Sequence, residues 1–184
     1  MLVARGSVSA RVTGFWNVLD DTITNITLSS TPQLITKLRA NADKMRSAGV
    51  EVEADWRPVR SFSMTVATGV VDARFKGDTS LRDNRVPQVP SYNVGVSAQY
   101  SPRGWTASGL LRVTGPQFED DLNAFTLRRA TVVDVMASPI VARRLNLFVA
   151  IENLFNSEYD VGRTPVLTTG LLRAARAGLH LSLP

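Results

Sequence analysis

Residues 92–114 read YNVGVSAQYSPRGWTASGLLRVT, two strand-like segments joined by a turn. In 92–100 an apolar or aromatic residue stands at every second position, and small or polar residues stand between them. A period of two is typical of a strand with one apolar face. SPRG at 101–104 supplies the Pro and Gly of a turn, and a second strand is predicted from Trp105 to Thr114. The stretch therefore predicts two antiparallel strands and the turn between them.

The same period recurs on both sides of these strands. It predicts further strands in the following segments: 7–19, 47–56, 62–67, 130–140, 145–152 and 179–183. Together they make about eight strands, most of them near the ~9–11 residues that a membrane-spanning strand needs. The first strand could extend through Ile23 and Ile26 above the membrane.

One segment allows two interpretations. Leu34, Leu38, Ala42 and Met45 have a helix-like spacing, which favours a short helical or irregular excursion before the strand at Ser47. A strand over 35–46 is the alternative, and the pattern leaves both open.

The connections alternate in length along the chain. Short ones, RPVR at 57–60, SPRG at 101–104 and ARR at 142–144, separate longer ones, which lie near 29–33 and at 77–90, 116–127 and 156–170. Transmembrane barrels have short periplasmic turns and longer extracellular loops, whereas a β-sandwich has no reason to keep this order. The predicted fold class is therefore all-β, an antiparallel transmembrane β-barrel.

The positions of the aromatic residues support a barrel that spans a membrane. Seven of them fall near predicted strand ends, where interface girdles place aromatics: Trp16, Trp56, Tyr92, Tyr100, Trp105, Phe155 and Tyr159. Ordinary core packing is the alternative for any one of them.

Composition excludes several classes of protein. With no cysteine and a single histidine, His180, the chain has no disulfide, no thiolate metal site and no multi-histidine site, and we expect no cofactor. Hydrophobic residues make up 44%, and no stretch approaches the ~20 apolar residues of a spanning helix. The net charge is +5, but basic residues are scattered from Arg5 to Arg176, so nucleic-acid binding is not expected.

Five stretches, in order, resemble the TonB-dependent receptors of the bacterial outer membrane. They are RVTGFWNVLDDTITN (11–25), NADKMRSAGVEVEADWRP (41–58), RVPQVPSYNVGVSAQYSP (85–102), LNLFVAIENLFNSEYDVGR (145–163) and TTGLLRAARAGLHLSL (168–183). The Asn-Leu-Phe-Asn-x-x-Tyr portion of the fourth is the most specific. Leu172 stands where the family often has proline, and the chain ends in Leu183–Pro184 where an aromatic residue is common.

The resemblance implies uptake of a scarce nutrient such as a ferric siderophore, a cobalamin or a saccharide, and it implies no enzymatic activity. The partners it implies are outer-membrane lipid, the nutrient, and TonB through an N-terminal plug segment. Residues 1–184 are then expected to be the C-terminal portion of a barrel of about 22 strands, and to form an open, curved meander of about eight strands. The N-terminus MLVARGSVSARV lacks a signal peptide, so the true N-terminus is expected elsewhere.

Two groups of loop residues are candidates for substrate contact. Arg82, Asp83 and Arg85 could attract an anionic ferric siderophore. A second group could hold a cation or a sugar: Glu119, Asp120 and Asp121. Simple solvation of these charges is the alternative.

A third group lies on a strand. Glu51, Glu53 and Asp55 share one face because they are two residues apart, and we expect them to face the lumen or the plug, where carboxylates commonly pair with plug arginines. A catalytic carboxylate pair would need a pocket that raises one pKa, and nothing in the sequence predicts one.

Two rival interpretations stay open. A complete small barrel of about eight strands could close and serve in adhesion or structure. A soluble ligand-binding β-sandwich is the second, and it would be a compact monomer without detergent. For a portion of a wide barrel we expect an open sheet, whereas hydrogen bonding between the first and last strands would contradict that expectation.

Overall fold

The chain forms β-strands joined by turns and loops. The structure, a computed structural model, describes residues 1–31, 33–42, 44–77, 80–142 and 145–181. Within these ranges no helix is long and apolar enough to cross a membrane. The strands are β1 (Leu2–Arg5), β2 (Val8–Leu19), β3 (Ile23–Ser30), β4 (Ile35–Asn41), β5 (Met45–Val59), β6 (Phe62–Phe75), β7 (Tyr92–Tyr100), β8 (Trp105–Thr114), β9 (Gln117–Phe118), β10 (Thr126–Leu127), β11 (Ala130–Ala142), β12 (Leu145–Glu152), β13 (Asp160–Gly162), β14 (Thr168–Thr169) and β15 (Ala174–Leu181).

Nine of these strands form one antiparallel sheet, here called the wall. Its order is β1-β2-β5-β6-β7-β8-β11-β12-β15, so every wall strand pairs with the next wall strand along the chain. The pairs β9–β10, β13–β14 and β3–β4 form separate two-stranded sheets in the connections. In the described part of the chain, β1 and β15 each pair on one side only. The predicted all-β, open antiparallel meander is therefore confirmed, with eight long strands and the short β1.

Two elements differ from the sequence interpretation. The strand predicted from Ser7 is preceded by β1, which pairs with β2 across a tight turn where Gly6 has φ +60°. Four residues were too short a run to predict a strand. The segment with helix-like spacing forms β4, which pairs with β3 from Ile23↔Asn41 to Ser30↔Ile35. Spacing alone does not distinguish helix from strand in so short an apolar pattern, and here the pairing with β3 makes the segment a strand.

The alternation of short and long connections is present in the structure. β7 and β8 are joined by residues 101–104, where Gly104 has φ +90°, and β5 and β6 by 60–61, later than the predicted 57–60. Two residues of the predicted 142–144 turn, Arg143 and Arg144, lie outside the described residues, as do Leu183 and Pro184. We call the end of the wall that carries the short connections the turn end. The opposite end, where the long connections emerge, is the loop end.

Strand register separates the wall into two faces. One row across five strands is apolar: Ala54, Val66, Val96, Leu111 and Val133. The adjacent row on the opposite face is mostly polar: Asp55, Thr65, Ser97, Leu110 and Asp134. The apolar face is open rather than buried, with Val50 48% and Val70 62% exposed. Such a face needs lipid or another protein layer to cover it.

Aromatic side chains bound the apolar face at both ends. At the turn end, Trp56 packs edge-on against Phe62 with ring centroids 5.6 Å apart, and Tyr100 against Trp105 at 5.4 Å. Toward the loop end, Trp16 lies opposite Ala48. From Trp56 to Ala48 the strand runs about 27 Å, and a tilt of about 40° shortens this to about 20 Å, close to the ~25 Å apolar band of outer-membrane barrels.

A small core exists at the loop end. Ala42, Phe75 and Leu81 are buried there, with Ile26 and Val86 packed against them. This cluster joins the β3–β4 hairpin to the connection after β6.

Candidate functional site

Four connections meet at the loop end. They are the β3–β4 hairpin, the connection after β6 (76–91), the β9–β10 connection (115–129) and the β13–β14 connection (153–173). Backbone hydrogen bonds tie them together, since Gln88 donates to the Phe118 carbonyl at 2.7 Å. The loops therefore form one surface above the wall.

Asp121 joins two of these connections. Its carboxylate is buried, and it accepts hydrogen bonds from the Thr27 amide at 2.7 Å and the Thr27 hydroxyl at 2.5 Å. The Asn84 side chain donates to the Asp121 carbonyl at 2.9 Å. Both carboxylate oxygens are thus engaged with β3, so this side chain fixes the hairpin to the β9–β10 connection.

Asp120 and Asn123 shape the β9–β10 connection itself. The buried Asp120 carboxylate accepts from the amides of Ala124 and Phe125 at 3.1 and 2.8 Å. Asn123, at φ +57°, accepts from the Arg85 amide at 2.7 Å and donates to the Arg85 carbonyl at 2.9 Å. Arg85 is therefore held through its backbone, and its side chain is left to interact elsewhere.

Glu119 ties the β9–β10 connection to the β13–β14 connection. One carboxylate oxygen accepts from the Thr164 amide at 3.2 Å and from its hydroxyl at 3.1 Å, and the other from the Arg163 amide. The predicted acidic group therefore consists of three carboxylates that hold loops together. Its predicted contact with a cation or a sugar stays a prediction.

Asp83 and Arg82 lie at the outer rim of the loops. Lys76 donates a hydrogen bond to Asp83, and this bond, with the charge of Lys76, lowers the pKa of the Asp83 carboxyl. Arg82 is exposed. The predicted basic loop group thus divides into an ion-paired acid, an exposed Arg82 and the anchored Arg85.

An ion pair that the sequence did not predict joins the β9–β10 connection to β13. Arg128 donates two hydrogen bonds to Asp160, at 3.1 and 3.2 Å. They lower the pKa of the covered Asp160 carboxyl and raise that of Arg128. The two residues are 32 positions apart, so no local pattern could pair them.

A cavity lies between the hairpin and the other loops. Its lining consists of the three acidic residues, Thr24, Asn25, Pro87 and Thr164, and two further side chains, Lys37 and Gln88. Both are exposed, and no hydrogen bond from either side chain occurs within the described residues. Sequence reasoning missed them because Lys37 falls in the segment with ambiguous spacing and Gln88 lies between two prolines.

Glu51, Glu53 and Asp55 lie on the polar face of β5, as their spacing predicted. Their neighbours on β2 are Thr13, Arg11 and Ser9. Asp55 accepts a hydrogen bond from the Thr65 hydroxyl at 2.7 Å. Among the described residues, neither Glu51 nor Glu53 has an ion-pair partner within 4.0 Å. The described ranges also hold no group of three or more His, Asp or Glu side chains arranged to bind a metal ion.

The amino-acid sequence is similar to those of known proteins. A family model described as TonB dependent receptor-like, beta-barrel, matches residues 3–154. The pesticin receptor of Yersinia pestis is 31% identical over 125 residues, which cover 65% of this chain and 19% of that protein. The ferrichrome outer membrane transporter/phage receptor of Escherichia coli strain K12 is 30% identical over 125 residues, with coverages of 63% and 17%. The chain thus spans about a fifth of the length of the curated relatives it matches.

Solved structures share the fold. The ferric yersiniabactin uptake receptor of Yersinia pestis superposes with a TM-score of 0.81 at 23% identity, over 98% of this chain and 28% of that one. A siderophore receptor of Acinetobacter baumannii superposes with a TM-score of 0.76 at 15% identity, over 95% and 26%. These relatives are named as receptors and transporters rather than enzymes. The chain belongs to the TonB-dependent receptor-like β-barrel family, and its wall is part of a bacterial outer-membrane barrel.

Proposed function

We propose that this chain contributes barrel wall and loop surface to a receptor for TonB-dependent uptake of a ferric siderophore. The relatives named for ferrichrome and ferric yersiniabactin support this substrate class, and neither name points to a cobalamin or a saccharide. The observation that carries the proposal is the cavity at the loop end, which is lined by residues of all four connections.

Lys37 and Gln88 are side chains of the cavity that are available to a ligand. Glu119, Asp120 and Asp121 hydrogen-bond to neighbouring loops and thereby hold the cavity walls in place. Lys37 and Gln88 keep their polar groups unengaged within the described structure. The Lys37 ammonium and the Gln88 amide can donate hydrogen bonds to an oxygen-rich ligand, which is the chemistry of many ferric siderophores. Arg82 at the rim would add attraction from a distance.

Residues 1–184 are proposed to be one portion of a larger barrel domain. A small closed barrel, the alternative, requires β1 and β15 to pair, and in the described residues each is the free edge of the sheet. The tilt and stagger of strands in a wide barrel do not suit closure with so few strands.

Coupling to TonB is proposed to pass through a plug that contacts the polar face. Glu51 and Glu53 suit such a contact because they are exposed, adjacent on one face and without a cationic partner in the described chain. Arginine side chains of a plug could pair with both. This portion of the receptor would then anchor the plug, while the loop end captures the ligand.

Transport of radioactive iron by energised cells tests the proposal. The gene that carries these residues is disrupted and then restored with wild-type or Lys37→Gln protein. Disruption is expected to abolish uptake of one ferric siderophore, and Lys37→Gln to raise its half-saturation concentration about 5-fold through loss of one cationic contact.

Arg60→Gln is the matched control, because it removes one positive charge at the turn end, far from the cavity. It should leave half-saturation unchanged. Uptake of every tested ferric siderophore at the wild-type rate in the disrupted strain would reject the proposal.

A further inference from the structure

Three arginines form a row on the apolar side of the wall, just beyond its apolar surface at the loop end. Arg46 on β5 lies opposite Arg74 on β6, and Arg74 is bridged to Arg85. All three therefore project from the same face as Val50, Val66 and Val70. We call them the arginine row.

The row stands at a sharp boundary. Val70 is 62% exposed and apolar, while Asp72, the next residue on that face of β6, is charged. Trp16 lies at the height of Asp72, since both are opposite Ala48, and the guanidinium of Arg46 lies 5.0 Å from the centre of its ring. Tryptophan at such a boundary is typical of a membrane interface. Because long connections of outer-membrane barrels are extracellular, this boundary faces the outer leaflet.

The charge of the row is only partly balanced. Asp72 accepts from Arg74 Nε at 2.9 Å and lies 3.4 Å from Arg46 and 3.6 Å from Arg85. One carboxylate cannot neutralise three guanidiniums, so the cluster keeps a net charge of about +2. The Nε of Arg46 is buried and has no acceptor among the described residues. Each of the three side chains remains about one-third exposed.

The arginine row lies outside the cavity proposed for the siderophore, so its ligand would be a different molecule. The cavity for the proposed substrate is lined by Lys37, Gln88 and the acidic loop residues, and none of the three arginines lines it. A ligand on the row instead has an exposed apolar surface directly beside it, formed by Trp16, Val18 and Val70. A phosphate group suits guanidinium forks, and an acyl chain suits the apolar surface.

We propose that the arginine row binds the phosphate of a lipid headgroup in the outer leaflet, with the acyl chains on the adjoining apolar face. The lipid would cover the boundary, and its phosphate would balance the positive charge that Asp72 leaves on the row. Arg85 links this site to the loops, because its backbone is held by Asn123. The inference rests on the outer-membrane location and does not depend on which nutrient is transported.

Native mass spectrometry of the full chain in detergent micelles tests the proposal. The protein is titrated with diphosphorylated lipid A, with dephosphorylated lipid A, and with inorganic phosphate as a competitor. The diphosphorylated form is expected to bind at least about 10-fold more tightly than the dephosphorylated form. Competition by inorganic phosphate at the same concentration as the lipid would overturn the lipid assignment.

Charge variants locate the site. The triple variant Arg46→Gln, Arg74→Gln and Arg85→Gln is expected to weaken lipid A binding about 100-fold, from about 5-fold for each guanidinium. The matched control, Arg5→Gln, Arg60→Gln and Arg103→Gln, removes the same charge at the turn end and should bind normally. Native affinity in the triple variant, or equal loss in the control, would overturn the proposal.

A second variant tests the proposal independently of whether the triple variant folds. Asp72→Asn removes the carboxylate that competes with phosphate and leaves the row intact. It is expected to strengthen lipid A binding about 5-fold. Unchanged or weaker binding in Asp72→Asn would contradict the proposal.

Discussion

Asn153 and Asn156 explain at the residue scale why the Asn-Leu-Phe-Asn motif has its asparagines. Both have positive φ, 49° and 51°, a conformation that asparagine tolerates better than most residues. The buried Asn153 side chain accepts from the Ser157 amide at 2.8 Å and donates to the carbonyls of Ser157 and Leu171. Asn156 accepts from the Arg173 amide at 2.9 Å. The motif therefore shapes the exit from β12 and contacts the segment that leads into β15.

The Arg128–Asp160 ion pair should make the stability of the fold depend on pH. The hydrogen bonds from Arg128 lower the folded-state pKa of Asp160. The stability that the pair contributes is therefore present above the unfolded pKa of about 3.9 and is lost as pH falls through the lower folded pKa. A carboxyl carbon-13 titration of Asp160 should have its midpoint below about 3.9.

Two variants test the cause of that shift. Arg128→Gln should raise the Asp160 midpoint, because the main cause of the shift is removed. Arg129→Gln, the neighbouring exposed arginine, should leave it where it was. Equal midpoints in all three proteins would show that Arg128 does not determine the pKa of Asp160.

The β3–β4 hairpin shows how an element can depend on contacts far along the chain. Its two strands pair with each other but not with the wall. Backbone hydrogen bonds hold the hairpin together, while Ile26 and Ala42 pack on Phe75 and Leu81 beneath it. Asp121, 94 residues after Thr27, completes the attachment.

Removing the Asp121 carboxylate should free the hairpin. Asp121→Ala takes away both acceptors of Thr27, and hydrogen bonds to a charged group contribute about 1.5–3 kcal/mol each. Hydrogen exchange at the Thr27 amide is expected to quicken by at least about 10-fold. Asp20→Ala, which removes only an exposed ion pair with Lys44, is the control and should leave Thr27 protected. Protection that survives in Asp121→Ala would contradict this role of the carboxylate.

At the scale of the whole molecule, the wall has little core of its own. Its apolar face is open, as Trp16, Val70 and Leu179 illustrate at 65%, 62% and 66% exposure. In water such a surface favours association with any apolar partner. Within the described residues, β1 and β15 each pair on one side only, and the backbone groups of their other edges can pair with other chains.

The purified chain should therefore depend on detergent. We expect it to precipitate or associate in plain buffer and to stay dispersed in micelles with a β-rich circular dichroism spectrum. Size-exclusion chromatography with light scattering checks both conditions. A compact monomer in plain buffer would favour the soluble β-sandwich and contradict a membrane wall.

The sequence by itself determined the wall and its two faces. Alternation in segments such as 92–100 has a period of two, and strand geometry turns that period directly into one apolar and one polar face, with Glu51, Glu53 and Asp55 on the polar one. Turn residues at 101–104 set the hairpin for a similar reason, because Gly104 adopts the positive φ that the turn requires. These features depend on residues close together in the chain.

Only the tertiary structure determined which loop residues and charged side chains contact one another. The contacts of Asp121 with Thr27 and of Arg128 with Asp160 join residues 94 and 32 positions apart, and no periodicity encodes such pairs. The segment with helix-like spacing forms β4 because it hydrogen-bonds to β3. Ala42, directly after β4, packs in the buried cluster with Phe75. Likewise, Arg46, Arg74 and Arg85 form a row only because strand register brings three separate segments to the same height.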